Sequence, residues 1–162
     1  MKEQYFYTSM NSPVGVLNLT STDVALTSVQ FSEKPKENSH LPEILIQASQ
    51  QLKEYFEGNR FTFNLNLAPE GTEFQQNVWN QVLKVLYGRT TTYLEIARLT
   101  GSSKNIRAVG FANSKNPIPI IIPCHRIIGT NGKLTGYAGG IERKRWLLEH
   151  ELNHCKPIEW LF

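Results

Sequence analysis

Cysteine is scarce in this chain: Cys124 and Cys155 are the only two in 162 residues. Two cysteines make no disulfide framework, which fits a reducing compartment where a reactive thiol stays a thiol. Long apolar runs are missing as well, so no membrane span is expected. Nor does the N-terminus carry the basic-then-apolar pattern of a secretory signal, and a cytoplasmic location is the expectation. Internal repeats and low-complexity tracts are absent too.

Acidic charge is thin where it matters. Residues 1–68 carry five Lys/Arg against seven Asp/Glu, and residues 69–162 carry twelve against seven, so the halves stand at −2 and +5. The basic excess therefore lies wholly in the second half, as it would if that half met a polyanion. A length of 162 residues suffices to bury a core in one domain or two small ones.

Along the chain, residues 5–10, 14–20 and 25–31 alternate like antiparallel strands, with a turn signal at Asn11-Ser12-Pro13. The polar stretch 32–39 interrupts them. Ile44, Ala48, Leu52, Tyr55 and Phe56 recur at helical spacing up to Gly58. Residues 61–67 alternate again and read as another strand. No residue in this half suggests chemistry, so it reads as scaffold.

Ala68-Pro69-Glu70-Gly71 marks a boundary, dividing the chain into domains at 1–68 and 69–162. Beyond it, Thr72 with Gln75 forms a capping-box pattern ahead of Phe74, Val78 and Val82. Thr92 with Glu95 repeats it before a short helix that stops near Gly101. A further helix over 103–112 completes a helix-turn-helix pattern, with that helix as the candidate recognition element. In residues 116–126 the prolines predict extended backbone and the isoleucines predict burial. Glycines and an Asn131-Gly132 hairpin signal follow. The last helix, 141–152, should turn Leu147 and Leu148 inward and Arg143, Lys144 and Arg145 largely outward.

Cys124 stands between that proline-stiffened segment and His125-Arg126. A free thiol is only a few per cent ionised at neutral pH, and the thiolate is the nucleophile. A neighbouring base, itself oriented by a carboxylate, raises that fraction. His125 supplies a base, direct or through a water, and Glu142, Glu149 or Glu151 supplies the carboxylate; spacing does not choose among them. A lone buried cysteine is more often a small hydrophobe. Zinc is disfavoured, because Cys124-His125 and His154-Cys155 lack the gap that lets one segment grip the metal twice.

The segment Ile122-Pro123-Cys124-His125-Arg126-Ile127 resembles the active-site signature of the 6-O-alkylguanine-DNA alkyltransferases, the methylated-DNA–protein-cysteine methyltransferase family. The resemblance continues through Gly71-Thr72-Glu73-Phe74-Gln75, Val78-Trp79, Tyr87-Gly88, Tyr93, Arg107-Ala108-Val109-Gly110, Asn116-Pro117, Gly136-Tyr137-Ala138-Gly139-Gly140 and Trp146-Leu147-Leu148 to Glu151. Looser likeness lies at Ser12-Pro13-Val14-Gly15 and at Gln51-Leu52-Lys53-Glu54-Tyr55-Phe56.

It implies an α+β protein: a ribonuclease H-like α/β domain with an antiparallel sheet, then a winged helix-turn-helix domain. It implies a monomer that acts on double-stranded DNA containing alkylated guanine, entered from the minor groove, with no cofactor. The alkyl group would pass irreversibly from the 6-oxygen of guanine, less efficiently from the 4-oxygen of thymine, to the protein's own cysteine.

By the same resemblance Cys124 is the acceptor, His125 its water-mediated base and Glu151 the orienting carboxylate. Asn116 holds the turn around the site, and Tyr93 donates to the guanine ring. Tyr137, Ala138, Ile127 and Asn113 bind the base, with an amide of the Tyr137-Ala138 loop facing the guanine oxygen. Arg107 fills the space of the flipped nucleotide, and Ala108, Gly110 and Lys104 meet the groove, where Ala112 is also suitably small.

Asn105, Leu86 and Ser114 depart from residues frequent in the family at those places. Some members hold zinc in the N-terminal half; this half has no cysteine, so no metal is expected. A lesion-binding relative that transfers nothing is the alternative, and the presence of Cys124, His125 and Glu151 together argues against it. A regulator with an added metal domain and a thiol hydrolase are the more distant rivals.

Overall fold

The computed structural model describes residues 2–37 and 40–155; residue 1, residues 38–39, at the end of the polar stretch, and 156–162 lie outside the description. Three strands, β1 (Phe6–Met10), β2 (Val16–Ser21) and β3 (Leu26–Ser32), form an antiparallel meander in the order β1-β2-β3. Period-two alternation sets which face is buried: Thr8 pairs with Leu19 and Leu19 with Val29, and all three point inward. The β1–β2 turn closes through reciprocal backbone bonds between Ser12 and Gly15, with Gly15 at φ +106°.

Helix α1 (Glu43–Phe56) covers this sheet. Leu45, Ala48, Leu52 and Tyr55 recur at three- and four-residue spacing and are wholly buried.

The expected strand over 61–67 does not form as a ladder. Its side chains do alternate in exposure, but its backbone finds other partners. The Gln51 side chain takes Asn64, accepting from its N–H at 2.9 Å and donating to its carbonyl at 3.0 Å. Only near Leu67 does the segment meet β3, where Leu26 N–H reaches the Asn66 carbonyl and Ala68 N–H reaches Leu26. A side-chain amide has replaced the sheet neighbour that alternation alone implies.

Past Gly71 the chain becomes helical. Thr72 and Gln75 form the full capping box of α2 (Glu73–Val82). In α3 (Tyr93–Leu99) Thr92 accepts from Glu95 N–H, while the Glu95 carboxylate turns to Arg98, 3.7 Å away. The expected helix over 103–112 starts with a 3-10 turn, Ser103–Asn105, and α4 proper runs Ile106–Ser114. Two short parallel strands, β4 (Thr91–Thr92) and β5 (Ile127–Ile128), join the helix pair to the segment after Cys124. Between β5 and the last helix, Gly132 sits at φ +77° in a turn closed by Gly129 N–H on the Lys133 carbonyl. Helix α5 (Ile141–His154) ends the described chain, two residues longer than expected.

One continuous core runs from Leu17, Leu52 and Tyr55 through Val78, Trp79 and Val109 to Ile122 and Leu147. Polar bonds sew the halves together: Val29 N–H to the Pro117 carbonyl, and Arg143 Nε to the Val14 carbonyl. No helix among the described residues is long and apolar enough to cross a membrane.

Replacing Thr72 by Ala removes one cap bond and frees Gln75. It should lower unfolding free energy by about 1 kcal/mol, read as a lower urea midpoint with an unchanged slope.

Candidate active site

Cys124 opens a 3-10 turn, Cys124–Arg126, and is 4% exposed. The segment before it is buried as expected but is not extended. Pro123, at φ −81° and ψ 63°, centres an inverse γ-turn, with Cys124 N–H on the Ile122 carbonyl at 2.7 Å. One turn earlier Ile122 N–H bonds back to Ile118, and Ile120 lies at φ +75°. A β-branched residue there is strained, by roughly 1–2 kcal/mol. Asn116 pins the bend from inside: its Oδ1 accepts from Ile118 N–H at 2.9 Å and its Nδ2 donates to the Ile122 carbonyl at 2.8 Å. Pro-driven extension loses here because burial and Asn116 reward a compact loop.

Asn113, on the inner face of α4, donates Nδ2 to the Cys124 carbonyl at 3.2 Å. Its Oδ1 is buried with no bond from a described residue. Burial pushes the Cys124 thiol up to about 11, while the Asn116 side chain and the Lys144 charge pull the other way. The resting sulfur is therefore protonated.

His125 is wholly buried, and its Nε2 lies 2.5 Å from Glu151 Oε2. Burial drives its imidazole below the ordinary histidine value, against the pull of Glu151. The ring is thus neutral, with Nε2–H donating to Glu151. Nδ1 is left buried and unbonded among the described residues. A free basic nitrogen on the residue that follows a buried thiol is what a general base requires.

Glu151 collects five donors. Oε1 accepts from Arg126 Nε at 2.7 Å and Gly88 N–H at 3.2 Å; Oε2 accepts from His125, Tyr55 OH at 2.7 Å and Arg126 Nη2 at 3.2 Å. Burial alone would raise this carboxyl, but His125 and Arg126 outweigh it and hold it well below the ordinary carboxylate range. Of the three glutamates that spacing left open, Glu142 and Glu149 are exposed, and only Glu151 meets His125.

Lys144 is a correction. Expected to face outward, it is wholly buried, and its Nζ donates to the Ile127 carbonyl at 2.6 Å, the Thr135 carbonyl at 2.9 Å and Tyr93 OH at 3.4 Å. Helical spacing put it beside two arginines on an apparently charged face. The missed signal is that 144, 147 and 151 share one face with the buried Leu147 and Glu151. Tyr93, first residue of α3, donates to Thr135 at 3.0 Å, and burial raises its phenol.

Tyr137 is buried with its hydroxyl unbonded among the described residues, its ring edge-on to Phe31 at 6.1 Å. Ala138 points outward. Ile127 lies wholly buried behind the site, offering its carbonyl to Lys144. Between β3 and the 138–139 loop a cleft of about 460 Å³ reaches Asn116 and Pro119.

The outer face of α4 presents Arg107 and Ala108, with Lys104 on the preceding turn and open space around Gly110. Ala112 is not on that face: it is 1% exposed, and its carbonyl accepts from Trp79 Nε1 at 2.9 Å. Small size at Ala112 serves helix packing. Phe111, 60% exposed and unremarked in the sequence, stands on the outer face instead.

Comparison with known proteins adds two family matches. Residues 73–153 match the 6-O-methylguanine DNA methyltransferase DNA-binding domain, and residues 5–69 match the ribonuclease-like domain of the same family. A methylated-DNA–protein-cysteine methyltransferase of Methanosarcina acetivorans is 47% identical over 153 residues, covering 90% of this chain and 97% of its own. The crystal structure of the Mycobacterium tuberculosis O6-methylguanine methyltransferase superposes with a TM-score of 0.85 at 43% identity, covering 96% and 97% of the two chains. The M. tuberculosis protein in complex with DNA gives 0.84 at 45% identity, covering 92% and 94%.

Burial lowers the Lys144 ammonium to about 8, with Cys124 opposing. Between that value and the ordinary 10.5 the unfolded chain binds the extra proton, so this lysine penalises folding below pH 8 and the penalty fades as pH rises. The stability of the wild-type chain minus that of Lys144→Met should therefore climb from pH 8 to pH 10 in urea titrations. A flat difference would contradict the buried ammonium.

Proposed function

The chain belongs to the 6-O-methylguanine DNA methyltransferase family, and from that premise we propose that Cys124 accepts an alkyl group from the 6-oxygen of guanine in duplex DNA. The reaction is direct-reversal repair, each molecule spent on one lesion; the 4-oxygen of thymine is a poorer donor. The observation that carries the reading is a buried Cys124 followed directly by His125, whose Nδ1 is free and whose Nε2 is held by the Glu151 carboxylate.

Displacement at the saturated alkyl carbon forms a bond to Sγ and breaks the bond to the guanine oxygen. The thiol proton leaves to His125 Nδ1, through a water, as sulfur attacks. Glu151 stabilises the imidazolium that results, and the Lys144 charge stabilises sulfur as it sheds its proton. The electron pair of the broken bond passes to the purine. Tyr93, already polarised by Lys144, exchanges the Thr135 carbonyl for the ring and hydrogen-bonds the developing charge. Guanine takes up one proton for the one the thiol lost, so the step balances. The thioether is stable, and nothing regenerates the thiol.

The target carbon is stacked inside the duplex, so the nucleotide must turn out, which costs a few kcal/mol. Arg107 replaces it in the stack, while Ala108, Gly110 and Lys104 lie along the minor groove. Tyr137 and Ala138 close over the base, with Asn113 and Ile127 lining it. Asn116 keeps the Cys124 turn in place. The protein acts as a monomer, in the cytoplasm, where the thiol stays reduced, and divides into a scaffold domain at 1–68 and a DNA-binding, alkyl-accepting domain at 69–162. No metal or organic cofactor is needed for a displacement by sulfur.

Incubation with a duplex carrying methylated guanine, followed by intact-mass analysis, should add a single methyl to the wild-type chain and none to Cys124→Ala. Tight binding without a mass change would favour the lesion-binding alternative instead. Substituting Arg107 by Ala should slow repair in duplex by about 10- to 100-fold, the range of a few kcal/mol of flipping, and leave reaction with free benzylated guanine near wild type. Equal losses on the two substrates would contradict the flipping role.

A further inference from the structure

The scaffold half of the chain reaches into the reactive assembly at one side chain. Tyr55, in the last turn of α1, is wholly buried, and its hydroxyl donates to Glu151 Oε2 at 2.7 Å, the same oxygen that His125 Nε2 meets. Its backbone carbonyl accepts from His150 Nε2 at 2.7 Å, so two successive residues of α5 are anchored on one residue of α1. The ring is gripped on several sides: Phe56 at 5.2 Å, His150 at 5.3 Å, Phe63 at 5.6 Å and Tyr87 at 6.0 Å between centroids. Filling that space needs an aromatic ring and nothing more; a phenylalanine would do. The hydroxyl is left for the carboxylate.

We propose that Tyr55 is a positioning residue for alkyl transfer, setting through its hydroxyl both the orientation of Glu151 and the basicity that Glu151 confers on His125. The proposal rests on the reading that His125 is the base and Glu151 its orienting carboxylate. A donor on Oε2 drains negative charge from the oxygen that faces the imidazole. Without it the carboxylate holds the imidazolium more tightly, and His125 becomes more basic. A better donor does the reverse. Burial and Glu151 together raise the Tyr55 phenol well above its ordinary value, so it remains a donor throughout the working pH range.

Other groups around the pair leave the sign intact. Arg126 and Lys144 act on the imidazole; Tyr87, Tyr137 and His150 lie near the carboxylate. Of these, Lys144, at about 8, bonds Ile127, Thr135 and Tyr93, and His150 meets the Tyr55 backbone carbonyl, so a side-chain replacement at 55 removes no hydrogen bond of either.

The test measures the rate of reaction with free benzylated guanine against pH for the full chain, for Tyr55→Phe, and for a chain with 3-fluorotyrosine at 55. In Tyr55→Phe the acid limb of the profile should move up by on the order of half a pH unit. The more acidic fluorophenol should move it down. Both chains should still alkylate to completion. A hydroxyl that serves folding alone would change the active fraction at every pH and move neither limb. Superimposable limbs for all three chains, or shifts of the same sign, would overturn the proposal. The 3-fluorotyrosine chain keeps the ring and the hydroxyl, so it decides the matter even if Tyr55→Phe folds poorly. Glu151→Gln run alongside separates the two readings: if it reacts like wild type the base assignment fails, and if it is slow while the Tyr55 profiles coincide, only the role of Tyr55 fails.

Discussion

A buried carboxylate on α5 organises this molecule. Glu151 is 1% exposed, and ionising it there would be prohibitive without partners. Its five donors come from α1, from the loop after α2, and from the 3-10 turn that begins with Cys124. Three segments far apart in sequence are thereby fixed against one side chain. Removing one member of a buried ion pair such as Arg126–Glu151 costs about 3–5 kcal/mol, because the other charge is left buried alone. Arg126 makes the arrangement affordable: it spends Nε and Nη2 on the carboxylate and Nη1 on the Val85 carbonyl, so its own charge is not stranded.

That anchor holds His125 and Arg126, and so fixes the downstream side of Cys124. The upstream side is fixed differently, by an inverse γ-turn at Pro123, a strained Ile120 and the two bonds of Asn116. Strain at Ile120 persists because the surrounding isoleucines are buried and Asn116 determines the bend. A thiol clamped from both sides suits a nucleophile that reacts once. Its geometry is paid in folding rather than in reorganisation at each encounter.

Much of this was legible in the residues. The capping box at Thr72, the meander, the buried isoleucines and the cysteine–histidine pair all follow from spacing and residue type. The failures share a cause, which is that tertiary partners outcompete local pattern. Alternation in 61–67 is real, but Gln51 occupies the backbone that a strand would use. Lys144 belongs by composition to a charged face, yet the helix turns it onto three oxygens of the site. Prolines at 117, 119 and 123 suggest extension, and Asn116 folds the loop instead. Tyr55 read as one more apolar position of α1, since a helical stripe says which face is buried and nothing about where a hydroxyl ends.

Helix α4 ties the surface of the molecule to the Cys124 turn. Its inner face carries Asn113, bonded to the Cys124 carbonyl, and Val109, wholly buried in the core. Its outer face carries Arg107 and Ala108 in solvent. The helix is nine residues long, so the two faces are one rigid body. The outer-face side chains and the bond to the Cys124 carbonyl are therefore carried by the same element. Trp79 ties the helix to α2 by donating to the Ala112 carbonyl. A close-packed element has little give, so the outer face of α4 and the Cys124 turn keep one fixed spacing.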